Sequence, residues 1–91
     1  MAFLVIILNL LEKATVIAMK RVIVWQIKKE MLSQNITKTN MAKRMQTSRA
    51  SLNRLLDENN PHLKLITLAK AATAINKKIR VELIAKSQRF Y

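Results

Sequence analysis

The stretch "TKTNMAKRMQTSRASLNRLL", residues 37–56, decides the fold of this chain. Its apolar residues recur at intervals of three and four, the spacing that keeps one face of a helix on a core. The pattern predicts two short helices joined by a tight turn at Gln46 and Thr47, with Thr37 and Ser48 as their N-caps. The residues predicted to face inward are Met41, Ala42, Met45, Leu52, Leu55 and Leu56.

The composition limits the class of protein. Glycine is absent, Pro61 is the single proline, and hydrophobic residues make up 51% of the chain, which favours a mainly α protein over disorder or a turn-rich β fold. A length of 91 residues predicts one domain with a small helical core, or an oligomer, and disfavours a large catalytic cleft. The absence of cysteine excludes disulfides and thiolate metal sites, which suits a cytoplasmic protein.

The charge is strongly basic. Seventeen Lys and Arg residues stand against five Asp and Glu residues, giving a formal net charge of +12. Such a field attracts polyanions, either nucleic acid or anionic lipid. The charge alone does not choose between them.

The chain divides into three parts by pattern. Residues 1–19 form an N-terminal apolar arm, residues 20–84 a helical domain, and residues 85–91 a basic tail. The arm begins "MAFLVIILNLL" and is stopped by Glu12 and Lys13. It is therefore shorter than the roughly 20 apolar residues that a membrane-spanning helix needs, and no basic residue precedes it as in a secretory signal. We expect neither membrane insertion nor secretion.

The helical domain contains further periodic segments. A helix is predicted from Lys20 to Gln34, with Trp25 and Leu32 toward its far side. We interpret these two residues as a widened core face; the alternative is a second contact, with the N-terminal arm or another subunit. The residues predicted to face inward on it are Ile23, Val24, Ile27 and Met31. After the loop "DENNPHLK" a further helix is predicted, for which Lys64 is a poor cap. Its predicted inward face consists of Leu65, Leu68, Ala69, Ala72 and Ile75.

The C-terminal stretch "KKIRVELIA" alternates apolar and charged residues. Ile79, Val81 and Leu83 alternate with Lys78, Arg80 and Glu82, the period of two typical of a half-buried strand. A single strand needs a partner, which the N-terminal arm as an extended segment, a second copy of the chain or another protein could supply. An added helix packed near Trp25 and Leu32 is the alternative form of the arm.

Residues Lys38 to Asp57 resemble the helix-turn-helix of the phage-repressor-like (Xre) family of transcriptional regulators. The features in common are the small Ala42, the cap Ser48, and the buried Leu52 and Leu55. The chain departs from the family at Gln46, where glycine is usual, and at Thr47. The resemblance extends over residues 20–84 and implies a lambda-repressor-like bundle of four to five helices with a short C-terminal β-strand.

The candidate site is the outward face of the second helix of the motif, within residues 48–56. Helical spacing turns outward Ala50, Ser51, Asn53 and Arg54, with Arg49 at the flank. Arginine can bind guanine in the major groove, asparagine can bind adenine, and alanine can meet a thymine methyl group. The resemblance implies base contacts at Arg49, Ala50 and Arg54. It also implies phosphate contacts from Lys38, Thr39, Lys43 and Ser48.

The resemblance implies a sequence-specific DNA-binding regulator, a repressor that binds double-stranded operator DNA as a homodimer. The alternative that the resemblance implies is an antitoxin that also binds and inhibits a toxin protein. A solvated basic helix face on an unrelated bundle, and peripheral membrane binding, are two further interpretations. We predict no enzymatic activity, no cofactor and no metal site, since the single histidine, His62, lies in a loop without clustered ligands.

Overall fold

The chain folds into a small bundle that is mainly helical. A computed structural model describes the backbone of residues 2–85 and the side chains of residues 12–85. The described part contains four helices: α1 (Ala2–Ser33), α2 (Lys38–Met45), α3 (Arg49–Leu56) and α4 (Leu65–Ala74). Helix α2 packs against both α3 and α4, and α1 packs against α3. The predicted helical class is therefore confirmed.

Side-chain caps start two of the helices as the sequence predicts. The Thr37 hydroxyl accepts a hydrogen bond from the Asn40 amide at 3.1 Å, at the start of α2. The Ser48 hydroxyl accepts one from the Ser51 amide at 3.0 Å, at the start of α3. Each cap satisfies an amide that has no partner inside its helix. Helix α4 starts after Lys64, whose side chain makes no capping hydrogen bond, in agreement with the sequence.

Three helices end with a non-glycine residue in the left-handed region. Asn35, Gln46 and Asn76 follow α1, α2 and α4 with φ values of 55°, 56° and 60°. This conformation lets the next amide reach back into the helix; the Thr47 amide, for example, donates to the Ala42 carbonyl at 3.0 Å. Gln46 thus accepts a positive φ at a cost of about 1 kcal/mol relative to glycine.

The core contains every inward residue predicted from residues 37–56. Val24, Ile27 and Met31 of α1 are buried as predicted, and Ile23 is half-buried against them. The buried residues from the central stretch are Met41, Ala42, Met45, Leu52, Leu55 and Leu56. The central stretch therefore forms the middle of the core, between α1 and α4.

The predicted buried face of α4 was right only in part, and the widened core face of α1 was wrong. Helix α4 buries Leu68, Ala71 and Ala74 together with the following Ile75, whereas Leu65 and Ala69 are exposed. The buried face of α4 is therefore rotated from the predicted one toward Ala71 and Ala74, and α2 is the helix that packs against α4. Trp25 and Leu32 do not widen the core of α1, since 59% and 80% of their surfaces are exposed. Among residues 12–85, no side chains cover Trp25 and Leu32 enough to bury them.

The predicted C-terminal strand is not confirmed in the isolated chain, and the arm is helical, as in the alternative prediction, rather than extended. Residues 77–85 form no regular secondary structure, so the predicted C-terminal strand at Ile79 to Leu83 is absent. The N-terminal arm is not an extended segment, because its backbone continues α1 back to Ala2. With the arm helical, no partner for a ladder remains among residues 2–85. The predicted basic tail, apart from Ala85, lies outside the described residues.

Helix α1 is the longest element, with 32 residues. Its packing onto the core begins at Lys20, and of the side chains from Glu12 to Met19 only Ile17 is half-buried. Across residues 2–85, no helix has both the length and the apolar character that crossing a membrane requires.

Candidate nucleic-acid interface

Helices α2 and α3 place the predicted site residues on one surface, which we call the α2–α3 surface. Lys38 and Thr39 lie in the first turn of α2, Lys43 lies in its second turn, and Ser48 caps α3. The remaining members lie along the outer face of α3, opposite its three buried leucines: Arg49, Ala50, Ser51, Asn53 and Arg54. All of these residues are exposed except Ser51, which is half-buried.

A chain of side-chain hydrogen bonds runs along the exposed face of α3. The Ser48 hydroxyl donates to the Ser51 hydroxyl oxygen at 3.1 Å, and Arg54 Nη2 donates to that oxygen at 3.2 Å. A guanidinium has five N–H donors, so most of those of Arg54 stay available to a ligand. Ser51 therefore orients Arg54 while the arginine remains exposed.

A second hydrogen bond joins the two helices across the turn. Arg49 Nη1 donates to Thr39 Oγ1 at 3.1 Å. Arg49 was predicted to contact bases and Thr39 to contact phosphate, and the structure places them in direct contact. The bond holds the first turn of α3 against the first turn of α2. Both side chains are exposed, so the bond leaves the guanidinium accessible.

The electrostatics of the α2–α3 surface are uniform in sign. The two helices contain five basic residues, Lys38, Lys43, Arg44, Arg49 and Arg54, and no acidic residue. Such a surface attracts phosphate oxygens, and the attraction weakens as salt is added. The surface therefore suits a polyanion.

The buried Lys20 holds the C-terminal end of α3, and our sequence reasoning did not predict it. Its side chain is fully buried, and Nζ donates to the Arg54 carbonyl at 3.2 Å and to the His62 carbonyl at 3.0 Å. An ammonium group at the end of α3 also interacts favourably with the helix dipole. Burial lowers the pKa of Lys20 from its ordinary value of 10.5, and the nearby Asp57 carboxylate opposes that shift. Arg54 is thus held at its main chain by Lys20 and at its side chain by Ser51.

A sequence signal for Lys20 did exist. Lys20 lies four residues before Val24 and seven before Ile27, so it belongs to the apolar face of α1. A lysine on such a face either extends its ammonium group to solvent or finds carbonyl partners. The carbonyl partners come from residues 34 and 42 positions away, which periodicity along the chain does not reveal.

Arg44 supports α2 in a similar way. Its Nη1 donates to the Ala74 carbonyl at 3.1 Å, at the last residue of α4. Arg44, in the last turn of α2, is therefore a basic residue that links α2 to the end of α4. The other four basic residues are the ones that the sequence assigned to DNA.

The described residues provide little other chemistry. Among residues 12–85 no three His, Cys, Asp or Glu side chains come together in a way that could hold a metal ion. His62 is exposed in the loop before α4, and its amide donates to the Asn60 side chain at 3.0 Å. The imidazole therefore has no cluster of ligands or catalytic partners around it.

Comparison with known proteins found no match. No family model, no curated protein and no solved structure matches the chain.

Proposed function

We propose that this protein is a sequence-specific DNA-binding transcription regulator whose helix α3 enters the major groove. In this proposal α2, the turn and α3 form a helix-turn-helix. Arg49, Ala50, Ser51, Asn53 and Arg54 face the base edges. Lys38, Thr39, Lys43 and Ser48 bind phosphates on either side of the groove.

The observation that carries the proposal is the division of α3 into two faces. One face buries Leu52, Leu55 and Leu56 almost completely, and the other presents Arg and Asn side chains to solvent. An α-helix with side chains is about 10–12 Å wide, which matches the width of the major groove of about 12 Å. A face of Arg and Asn residues carries the donors and acceptors that distinguish base pairs there.

The charge and the hydrogen bonds support the same proposal. A surface with basic residues and no acidic ones gains affinity for DNA by releasing counterions from the phosphates. The hydrogen bonds that Arg54 donates to Ser51 and Arg49 donates to Thr39 limit the side-chain freedom that base contacts would otherwise have to remove. These features favour the proposal over a merely solvated basic helix.

The proposed regulator acts as a dimer that represses transcription by occupying a promoter. One helix of this kind contacts only a few base pairs. Two copies on half-sites one helical turn apart multiply the affinity without any new contact.

The test begins with selection of bound duplexes from a random library by the full chain. On the selected site, Arg54→Ala is expected to cost about 1–3 kcal/mol and to relax the preference at one base pair, because a bidentate contact is lost. Fluorescence anisotropy on the selected duplex and on its single-base variants measures both effects. An Arg54→Ala protein that lost equal affinity on selected and random DNA would contradict the base-contacting role.

A phosphate contact should behave differently. Lys38→Ala is expected to weaken all duplexes alike and to lower the slope of log affinity against log salt by roughly one. Lys70→Ala is the matched control, because Lys70 is an exposed lysine on α4, outside the α2–α3 surface. If the full chain selects no sequence and binds no duplex at low salt, the proposed function is wrong.

A further inference from the structure

An apolar groove lies on a different face of the bundle from the α2–α3 surface. It has a volume of about 960 Å³ and is bounded by α1, α4 and residues 77–82. Its apolar lining includes Val22, Trp25, Leu65, Leu68, Ile79 and Val81. No residue of α2 or α3 lines the groove, so a molecule bound there leaves the proposed DNA-binding surface free.

The exposed apolar residues of the described part concentrate around this groove. Trp25 and Val22 of α1 are 59% and 56% exposed, and Leu65 of α4 is 73% exposed. Single exposed apolar residues are ordinary, but a contiguous group of them marks a binding surface. The groove therefore has the character of a binding surface.

Residues 79–83, at the edge of the groove, have the sequence pattern of a β-strand but no partner strand within residues 2–85. Ile79, Val81 and Leu83 alternate with charged residues, and Val81 and Leu83 are 70% and 99% exposed. No ladder pairs this segment within residues 2–85. Its backbone amides and carbonyls are thus available to another extended segment.

We propose that the occupant is a second copy of this chain, joined by antiparallel pairing of residues 79–83 about a two-fold axis at Val81. The pairing would place the apolar side chains of each copy over the groove. It would also give the backbone of residues 79–83 in each copy a hydrogen-bonded partner strand.

The sequence of the segment is complementary to itself in this register. In antiparallel pairing centred on Val81, each Ile79 lies opposite the Leu83 of the other copy, and the two Val81 side chains meet. Each Arg80 lies opposite the Glu82 of the other copy, which places opposite charges in both flanking pairs. A register one residue longer or shorter would place charges against apolar residues.

The charge pattern explains why a basic chain can associate with itself. Arg80 and Glu82 form an ion pair within one chain, with exposed side chains. In the dimer each of them gains an opposite charge across the ladder, so the net charge of +12 is not concentrated at the interface. A two-fold interface uses the same patch on both copies, as the groove and segment together provide.

The first test measures the association of the full chain by sedimentation equilibrium without DNA. Val81→Lys is expected to raise the dimer dissociation constant about a hundredfold, because it puts two ammonium groups at the centre of the ladder. The matched control is Ile66→Lys, which makes the same gain of charge at a residue of α4 that is 65% exposed and outside the groove. We expect Ile66→Lys to dimerise like the wild type.

The second test exchanges the charges and identifies the register. Arg80→Glu places Glu opposite Glu, and Glu82→Arg places Arg opposite Arg, so each variant alone should dimerise about tenfold more weakly. A mixture of the two variants restores both cross-strand pairs and should form a heterodimer of wild-type strength. Pairing within one chain cannot produce this recovery, because each variant carries two like charges. Net charge alone predicts that Arg80→Glu strengthens association, since it makes the chain less basic.

The outcomes separate this inference from the proposed function, whose dimer it specifies. A wild-type chain that stays monomeric would overturn it and assign the groove to another partner, such as an acidic protein. A dimer unaffected by Val81→Lys, or a mixture without recovery, would overturn the interface or its register. None of these results depends on DNA, so a chain that dimerises as described and binds no duplex would contradict the proposed function alone.

Discussion

Replacing Lys20 with Met is expected to lower the free energy of unfolding by about 2 to 3 kcal/mol. The substitution keeps the unbranched apolar stem of the side chain but removes both hydrogen bonds that Nζ donates. The His62 carbonyl then loses its ammonium partner, and the Arg54 carbonyl keeps only the weak 3.4 Å hydrogen bond from the Asp57 amide. The cost of desolvating the ammonium disappears at the same time, but we expect the loss of two hydrogen bonds to part-buried carbonyls to be larger. Denaturant unfolding followed by circular dichroism measures the difference.

Lys28→Met is the matched control, because Lys28 is an exposed lysine on the same helix. It should change the stability by no more than about 0.5 kcal/mol. If Lys20→Met were equally neutral, the two hydrogen bonds of Nζ would contribute nothing to the fold.

The pH dependence of the Lys20 contribution has a definite sign. The folded-state pKa lies below the unfolded value of 10.5, so between these values the unfolded chain binds more protons at this site. Stability from this site therefore rises with pH in that window, where the neutral amine still donates two hydrogen bonds. The difference between the wild type and Lys20→Met should increase as the pH rises toward 10.5. A constant difference would mean that the pKa of Lys20 is not lowered.

Ala42→Leu is expected to destabilise the protein by about 1–3 kcal/mol. Ala42 is 5% exposed, at the point where α2 packs against its neighbouring helices. The larger side chain has no space there and must displace a helix or adopt a strained rotamer. In a chain of this size, each kcal/mol lowers the melting temperature by about 4–8 °C.

Ala69→Leu is the control for helix propensity and added apolar surface. Ala69 lies in the interior of α4 and is exposed, so the same substitution there should have little effect. Equal melting temperatures for Ala42→Leu and the wild type would show that this crossing is not closely packed.

Local patterns predicted the helices because the responsible interactions lie close together in the chain. The caps at Thr37 and Ser48 bond to amides three residues away, and the leucines of α3 repeat within two turns. The outer face of α3 followed from the same spacing. The exposure of the predicted site residues could therefore be read from residues 37–56, whereas their contacts with DNA remain a prediction.

The features that sequence reasoning missed depend on distant segments. Trp25 and Leu32 are residue types typical of a core, yet the side chains of residues 12–85 leave both exposed. The alternation from Ile79 to Leu83 specifies a strand only where a partner exists, and none lies within residues 2–85. The burial of Lys20 likewise depends on two distant carbonyls, those of Arg54 in α3 and His62 in the loop before α4.

The length of α1 gives the helix an uneven resistance to local opening. Opening the part after Lys20 must expose Val24, Ile27 and Met31, whereas opening the turns from Glu12 to Met19 exposes no fully buried side chain. Helical hydrogen bonds alone add little stability to a short isolated segment in water. A single unbroken helix therefore comprises two units that open at different free energies, and amide hydrogen exchange should change abruptly at Lys20. Lys20, whose ammonium binds the Arg54 carbonyl of α3, thus also marks the point where α1 joins the cooperative core.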